Sequence, residues 1–277
     1  MVREKAMREA LLVAIVTVAV ATGSLPAIGA DRTGQESVDI DSVIRRLEES
    51  GALDAAIDRG VQRYIQREIQ ARQKQQEAQQ QRQAEAAKNA RPVDVSRDHI
   101  LGNTQAEVSV IVYTDLECPF CKQFAGTPEQ AISKFNGNAN FVFRHFPLAV
   151  HGENAARGAY YAQCVGHQAG SKGFFAFTND WFRLTGANGK GLERGNAQIK
   201  EIALSAGAKD LAALDSCAND AGVAQVVEDD MADGARSGIS GTPGVIVRNN
   251  KTGVSLPVAG AVSARALEAL IAQALHN

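Results

Sequence analysis

The sequence has little of several features that define common functional classes. Its 277 residues carry a formal net charge of only −2, and aromatic residues make up 5% of the chain. Because there is no basic excess, nothing in the composition favours nucleic-acid binding. Gly-x-Ser-x-Gly, Gly-x-Gly-x-x-Gly and P-loop patterns are also missing, which excludes a motif-based assignment as a serine hydrolase or a nucleotide-binding enzyme. The chain is long enough for one globular domain and an additional segment.

Long hydrophobic runs are scarce as well. Residues 10–21 are apolar apart from Thr17, follow a short basic segment, and lead into a small-residue pattern that ends at Ala30. This run falls short of the about 20 residues that span a bilayer. The pattern instead predicts a secretory signal peptide over residues 1–30. We therefore expect a protein that is periplasmic or otherwise exported.

Cysteine is limited to four residues, and two of them form a Cys-x-x-Cys motif, Cys118 and Cys121. The motif follows Val108–Tyr113, an apolar, β-branched run typical of a buried strand, and precedes a predicted helix over 122–135 that Gly126-Thr-Pro interrupts. A helix N-terminus offers unsatisfied backbone N–H groups, which favour the thiolate of Cys118. Cys121 lies one turn later and is close enough to form a ring. The motif therefore predicts a dithiol–disulfide switch.

Two other interpretations of this motif are a zinc half-site and an inert local disulfide. A zinc site needs a second pair of ligands, and the sequence has no other Cys-x-x-Cys or Cys/His cluster. An inert crosslink does not need a helix N-terminus. The context therefore favours redox chemistry without a metal or an organic cofactor.

Residues 38–90 differ from the rest of the chain. Apolar residues recur about every four positions and predict one face of a helix: Leu47, Leu53, Ile57, Val61, Ile65 and Ile69. Gly51 and Gly60 are predicted to break this run, and a Gln-rich helical tract follows over 70–83. We expect residues 38–70 to form a homo-oligomer and residues 71–90 to form a stalk. The alternative is a partly disordered linker. We expect this helical stalk or linker to occupy residues 31–92 and a domain to occupy residues 93–277.

The rest of the chain predicts an α/β order. A second strand over 140–147 implies a parallel pair with a crossover helix. Residues 152–238 predict helices only, and thus an all-helical insertion. A strand over 241–248, a hairpin partner over 254–258 and a closing helix over 261–275 complete the predicted domain.

This order, with the dithiol after the first strand and Thr242-Pro243 opening the third, resembles the thioredoxin superfamily, and the helical insertion resembles its DsbA-like branch. The resemblance covers about residues 100–274. It implies a thioredoxin-like α/β fold in which Cys118 attacks and Cys121 resolves. It also implies that Pro243 is a cis-proline which, with Thr242, shapes a substrate groove.

Four residues around the dithiol are candidates for tuning its redox chemistry. Pro119 and Phe120 stand between the cysteines, where related oxidases often have Pro-His. The Phe120 side chain offers no charge or hydrogen bond to a thiolate, so we expect the helix terminus to be the main cause of acidification at Cys118. Asp115 and Glu117 precede the motif and are candidate proton acceptors for the resolving thiol, with surface placement as the alternative.

The other two cysteines, Cys164 and Cys217, fall in the predicted insertion. In an exported protein they favour a structural disulfide, with buried free thiols or an electron-relaying pair as alternatives. His145 and His151 lack a nearby Ser-type nucleophile, and we interpret them as structural or exposed.

Together these observations predict an exported thiol–disulfide oxidoreductase that acts on cysteine-bearing exported proteins and exchanges electrons with a membrane redox partner. The oligomerising segment gives a slight preference for an isomerase or reductase over a DsbA-type oxidase. A redox-regulated periplasmic chaperone, in which the thiols are secondary, is the alternative from another class.

Overall fold

A computed structural model describes residues 39–258 and 260–276. The chain divides into two compact units, Met1–Glu68 and Ile69–Asn277. The predicted signal peptide lies outside the described residues. Within those residues, no helix has both the length and the apolar character needed to cross a membrane.

Two helices precede the domain, α1 (Ile40–Glu49) and α2 (Ala52–Ala87). They separate at Gly51, whose φ of +66° suits glycine, so the predicted break at Gly51 is confirmed. The predicted break at Gly60 is wrong, because Gly60 lies inside α2, where neighbours of high helix propensity offset its small penalty. The Gln-rich tract is helical, as predicted. The helix ends at Ala87, before Pro92.

The domain is built on a five-stranded mixed sheet with the order β1-β3-β2-β4-β5. Its strands are β1 (His99–Gly102), β2 (Val108–Thr114), β3 (Ala139–His145), β4 (Gly244–Asn249) and β5 (Ser255–Val258). β2 and β3 are parallel, and the other neighbouring pairs are antiparallel. β2 and β3 are the first two strands that the sequence predicts, so the predicted parallel pair with a crossover between them is confirmed. The edge strand β1 was not predicted, since its four residues carry too short a pattern.

The crossover after β2 contains two short helices, α3 (Pro119–Phe124) and α4 (Thr127–Ile132), separated where Gly126 and Pro128 predicted an interruption. All seven residues of β2 and of β3 are buried. Burial on both faces explains the mostly apolar sequence of β2, whereas β3 also buries Asn140, Arg144 and His145. The sheet is covered on both faces, and α9 (Ala264–His276) closes the domain.

The insertion between β3 and β4 is all-helical, as predicted. Its helices are α5 (Gly152–Leu184), α6 (Gly195–Ser205), α7 (Leu211–Ala218) and α8 (Ala221–Arg236). A kink at Gly170, whose φ is +66°, divides α5 into two helical parts.

A buried charge network fixes the segment that enters the domain. The guanidinium of Arg144 is fully buried and donates to Asp98 and to Asp233, the latter at 2.8 Å. It also donates to the backbone carbonyls of Arg91 and Pro92. Buried charges are stable only when they are paired and hydrogen-bonded, so this network holds residues 91–98 against the sheet.

Candidate dithiol site

The dithiol lies where β2 gives way to α3. Cys118 is the N-cap residue of α3, and Pro119 takes the first helical position, where its missing N–H has no cost. Backbone N–H of Cys118 donates to the Asp115 carbonyl at 3.2 Å, and Lys122 N donates to the Cys118 carbonyl at 3.0 Å. The motif is thus a short turn that continues directly into a helix, as the sequence predicted.

Both thiols are free and buried. The Sγ of Cys118 donates to the carbonyl oxygen of Thr242 at 3.3 Å. Thr242 precedes Pro243 through a cis peptide bond, so the cis-proline prediction is confirmed and the two predicted site segments meet. The buried hydroxyl of Thr242 makes no hydrogen bond within the described residues, and it is available to donate to a Cys118 thiolate.

The two cysteines have opposite acidities. The Cys121 thiol donates to Cys118 and lowers its pKa to about 5 against the opposing effect of burial, with further help from the Thr242 side chain and the N–H groups of Cys121 and Phe120. Burial, reinforced by the neighbouring Cys118, raises the pKa of Cys121. Near neutral pH the thiolate is therefore favoured at Cys118 and disfavoured at Cys121. The expectation that the helix terminus dominates is wrong, because the Cys121 thiol contributes most.

Phe120 differs from its neighbours in being exposed, with 61% of its surface accessible. Its ring projects from the motif between two buried sulfurs. It provides apolar surface beside the reactive thiol rather than a polar group. Pro119 fixes the first turn of α3.

Asp115 and Glu117 are buried, so the surface interpretation of these residues is wrong. The Asp115 carboxyl group accepts from Glu117 N at 2.7 Å, Leu148 N at 2.8 Å and His151 Nδ1 at 2.7 Å. These contacts anchor the loop before the dithiol to the segment after β3. His151 is structural here, in agreement with its interpretation from the sequence.

The Glu117 carboxyl group is directed toward the helical insertion. It accepts from Trp181 Nε1 at 2.8 Å, Thr185 Oγ1 at 2.7 Å and Gly191 N at 2.9 Å. Sequence reasoning missed these three partners. The lone Trp is a usable signal, because a buried indole N–H requires an acceptor, but the sequence does not identify that acceptor.

The second cysteine pair is a disulfide between Cys164 of α5 and Cys217 of α7, as predicted. It joins two helices of the insertion. His145 is also buried, on β3, where burial lowers its pKa to about 3. It contacts aromatic rings of the core and is therefore structural. In the part of the chain that the structure describes, no cluster of His, Cys, Asp or Glu could hold a metal ion.

Comparison with known proteins agrees with this geometry. The family model described as Thioredoxin matches residues 94–272. The solved structure of Pseudomonas aeruginosa DsbA2 is 30% identical, with a TM-score of 0.55, and the match covers 64% of this chain and 92% of that one. BdbD from Bacillus subtilis, at 20% identity and a TM-score of 0.56, shares the fold over 68% of this chain and 98% of that one.

Curated relatives match over shorter regions. The Na(+)/H(+) antiporter NhaA 1 of Mycolicibacterium gilvum is 34% identical over 96 residues, which are 34% of this chain and 15% of that protein. The chain thus spans only a small part of the curated relatives it matches. The family model covers well over half of the chain, and DsbA2 matches over nearly its whole length. The chain therefore belongs to the thioredoxin family, in its DsbA-like branch of thiol–disulfide oxidoreductases.

Proposed function

We propose that this protein is exported and exchanges disulfides with cysteine-bearing exported proteins through Cys118 and Cys121. The observation that carries the proposal is the contrast within the dithiol: an acidic Cys118 hydrogen-bonded by a Cys121 thiol whose pKa is raised. A thiolate is the nucleophile in disulfide exchange, and a protonated neighbour can be held in reserve for the second step.

In the reducing direction, the Cys118 thiolate attacks one sulfur of a substrate disulfide. A new S–S bond joins Cys118 to the substrate, and the other substrate sulfur leaves as a thiolate. Cys121 then loses its proton, attacks the Cys118 sulfur and releases the second substrate thiol. The substrate gains two electrons and the protein becomes oxidised. The same steps in reverse oxidise a substrate. In either direction a membrane redox partner returns the Cys118–Cys121 pair to its original oxidation state.

Thr242 and Pro243 are proposed to bind the substrate main chain. Proline has no N–H, and the Thr242 carbonyl already contacts the Cys118 thiol. When Cys118 is a thiolate it no longer donates a proton, so this carbonyl is released to accept from an extended peptide, as in β-strand addition. Substrate binding and thiolate formation would then favour each other.

The helices before the domain support an isomerase or reductase over an oxidase. Their apolar stripe is exposed, with Leu47 at 42%, Val61 at 51% and Ile65 at 49% accessibility. Apolar stripes at helical spacing are normally covered, and a second copy of the same segment would cover this one. An assembly with two or more dithiols could attack several disulfides of one misfolded substrate, as an isomerase must.

The test uses one single variant, one double variant and a matched control. Cys118→Ser should abolish refolding of a scrambled-disulfide substrate, since it removes the nucleophile. Val61→Glu/Ile65→Glu should convert the oligomer to a monomer by sedimentation and reduce isomerase activity, while dithiol chemistry persists. The matched control Gln62→Glu/Gln66→Glu adds the same charge on the same helix without removing an apolar residue of the stripe.

Other outcomes assign other functions. A strongly oxidising dithiol with oxidase activity that is indifferent to the stripe variant would identify a DsbA-type oxidase. A Cys118→Ser/Cys121→Ser protein that still prevents aggregation of a cysteine-free client would identify a chaperone. A parent protein that is monomeric at micromolar concentration would end the oligomer proposal.

A further inference from the structure

The residues that flank the dithiol on either side both contact Thr185. Glu117 precedes Cys118, and its Oε1 accepts from the Thr185 hydroxyl at 2.7 Å. Lys122 follows Cys121, and its Nζ donates to the Thr185 carbonyl oxygen at 2.8 Å. One residue of the insertion therefore joins the two ends of the motif, through its side chain on one side and its backbone on the other.

Thr185 is itself held firmly. It is the C-cap residue of α5, its N–H donates to the Trp181 carbonyl at 2.8 Å, and only 3% of its surface is accessible. Its hydroxyl also accepts from Ala187 N at 3.0 Å. A side chain with these partners has one favoured rotamer, so Thr185 provides a fixed point for the motif.

The loop after Thr185 encloses Glu117 from the other side. Asn188 N donates to the Glu117 carbonyl at 2.7 Å, and Gly191 N donates to its Oε2 at 2.9 Å. Ala187 and Asn188 have φ values of 55° and 51°, a left-handed conformation that is uncommon for non-glycine residues and costs energy at alanine. The backbone and side chain of Glu117 are therefore both restrained.

We propose that Thr185 is a positioning residue for disulfide exchange, which holds both flanks of the motif so that Cys118 stays against Cys121 and Thr242. This proposal rests on the proposed function of the dithiol. The insertion then contributes to the chemistry through a residue far from the motif in sequence, and does more than cover one face of the sheet.

If Thr185 has this role, weakening its contacts with Glu117 and Lys122 should change the pKa of Cys118. Contacts between Cys118 and its donors depend on the backbone between Glu117 and Lys122, and a small displacement weakens them steeply. Thr185→Val keeps the shape and removes the hydroxyl. We expect it to raise the pKa of Cys118 by about one unit, a tenfold change in the thiol–thiolate equilibrium, and to make the dithiol less oxidising.

The experiment measures two properties of the full chain, the ultraviolet absorbance of the thiolate against pH and the equilibrium with glutathione. Thr185→Ser restores the hydroxyl and should behave like the parent. Ser237→Ala is the matched control, because Ser237 is the buried C-cap residue of α8 and its hydroxyl bonds to the Asp233 carbonyl. It should leave both properties unchanged even if it lowers stability.

A Thr185→Val protein with parental acidity and glutathione equilibrium would overturn the proposal, as would a Ser237→Ala protein that shifts equally. If Thr185→Val does not fold, Lys122→Met tests the proposal instead, because it removes the hydrogen bond from Lys122 to the Thr185 carbonyl. Its control is Lys134→Met, which removes the same charge from an exposed site. Lys122→Met should raise the pKa of Cys118 more than Lys134→Met, and equal effects would overturn the proposal.

These measurements use no protein substrate. If the parent fails to catalyse disulfide exchange while Thr185→Val still shifts the acidity of Cys118, the proposed function fails and the positioning role remains. If the parent is active and no Thr185 variant shifts the pKa of Cys118, the proposed function stands and the positioning role fails.

Discussion

The two cysteine pairs of this domain have opposite surroundings. Cys118 and Cys121 lie at the start of α3 as free thiols, beside the Thr242 carbonyl and the backbone N–H groups of the motif. Cys164 and Cys217 are 53 residues apart and form a disulfide between α5 and α7. Cys164 is completely buried in the main apolar cluster of the domain.

Burial alone does not distinguish the free thiols from Cys164, since Cys118 and Cys121 are almost as inaccessible as Cys164, and Cys217 is only partly buried. The difference lies in the groups around the sulfur. Donors placed around Cys118 stabilise a thiolate and hence the reduced state. Around Cys164 the surroundings are apolar, and a thiolate there would be poorly solvated. The same residue type is therefore a free thiol at one site and a crosslink at the other.

Removing the second pair should give the largest effect on stability and little effect on reactivity. The disulfide closes a loop with a sequence separation of 53, and the chain-entropy model assigns such a crosslink about 4 kcal/mol. Cys164→Ala/Cys217→Ala should lower the free energy of unfolding in urea by about that amount. The rate at which Cys118 reacts with iodoacetamide should stay at the parental value.

Removing the first pair is the control for this comparison. Cys118→Ala/Cys121→Ala should keep most of the stability and lose all rapid reaction with iodoacetamide. If the disulfide variant instead lost thiol reactivity while remaining folded, the two pairs would be coupled, and the division into exchange and crosslink would be wrong.

The pH dependence of the reduced protein should sharpen the comparison. The pKa of Cys118 is lowered to about 5, against about 8.5 for an unfolded cysteine. A lowered pKa stabilises the folded reduced protein above the unfolded pKa, and this contribution is lost as pH falls through about 5. The oxidised protein has no such thiol. The stability of the reduced protein relative to the oxidised protein should therefore fall as pH falls from 8 to 5.

Other titrating groups occur in both redox forms and cancel in the difference, including buried Asp230, whose pKa burial raises to about 6. The measurement is the free energy of unfolding of each form across this pH range. The alkylation rate of the reduced protein provides a second check, since it should fall about tenfold per pH unit below pH 5. A difference in stability that is independent of pH would contradict the assigned acidity.

The parts of this site that could be predicted are those encoded locally. The apolar run of β2 and the spacing of Cys118 and Cys121 lie in one short stretch, and a strand followed by a helix has few alternatives. The meeting of Cys118 with Thr242, 124 positions away, came instead from the resemblance to a known family. Sequence pattern alone gives no distance between such segments.

The parts that could not be predicted depend on donors from remote elements. Glu117 is buried because Trp181, 64 positions later, and Gly191, 74 positions later, satisfy its oxygens. An acidic residue is exposed by default, and only tertiary contacts reverse that expectation. The acidity of Cys118 is a similar case. Since α3 has only six residues, its dipole is small, and the adjacent Cys121 thiol contributes more.

The smallest expected effect is a change of acidity at Cys118 through Phe120. Replacing this side chain with histidine places a partly protonated imidazole beside the thiolate, which lowers the pKa of Cys118 and makes the dithiol more oxidising. Because the position is 61% accessible, solvent screens the charge. We expect a decrease of about half a pKa unit, a threefold change in the equilibrium.

Phe120→Leu is the matched control, because it changes the ring without adding charge and should leave the pKa of Cys118 in place. The effect of Phe120→His should also shrink at high salt, as expected for a screened charge. If both variants lowered the pKa equally, the aromatic ring rather than the missing charge would limit the acidity of Cys118. The two cysteine pairs would then differ by apolar shielding at the motif as well as by the donors around sulfur.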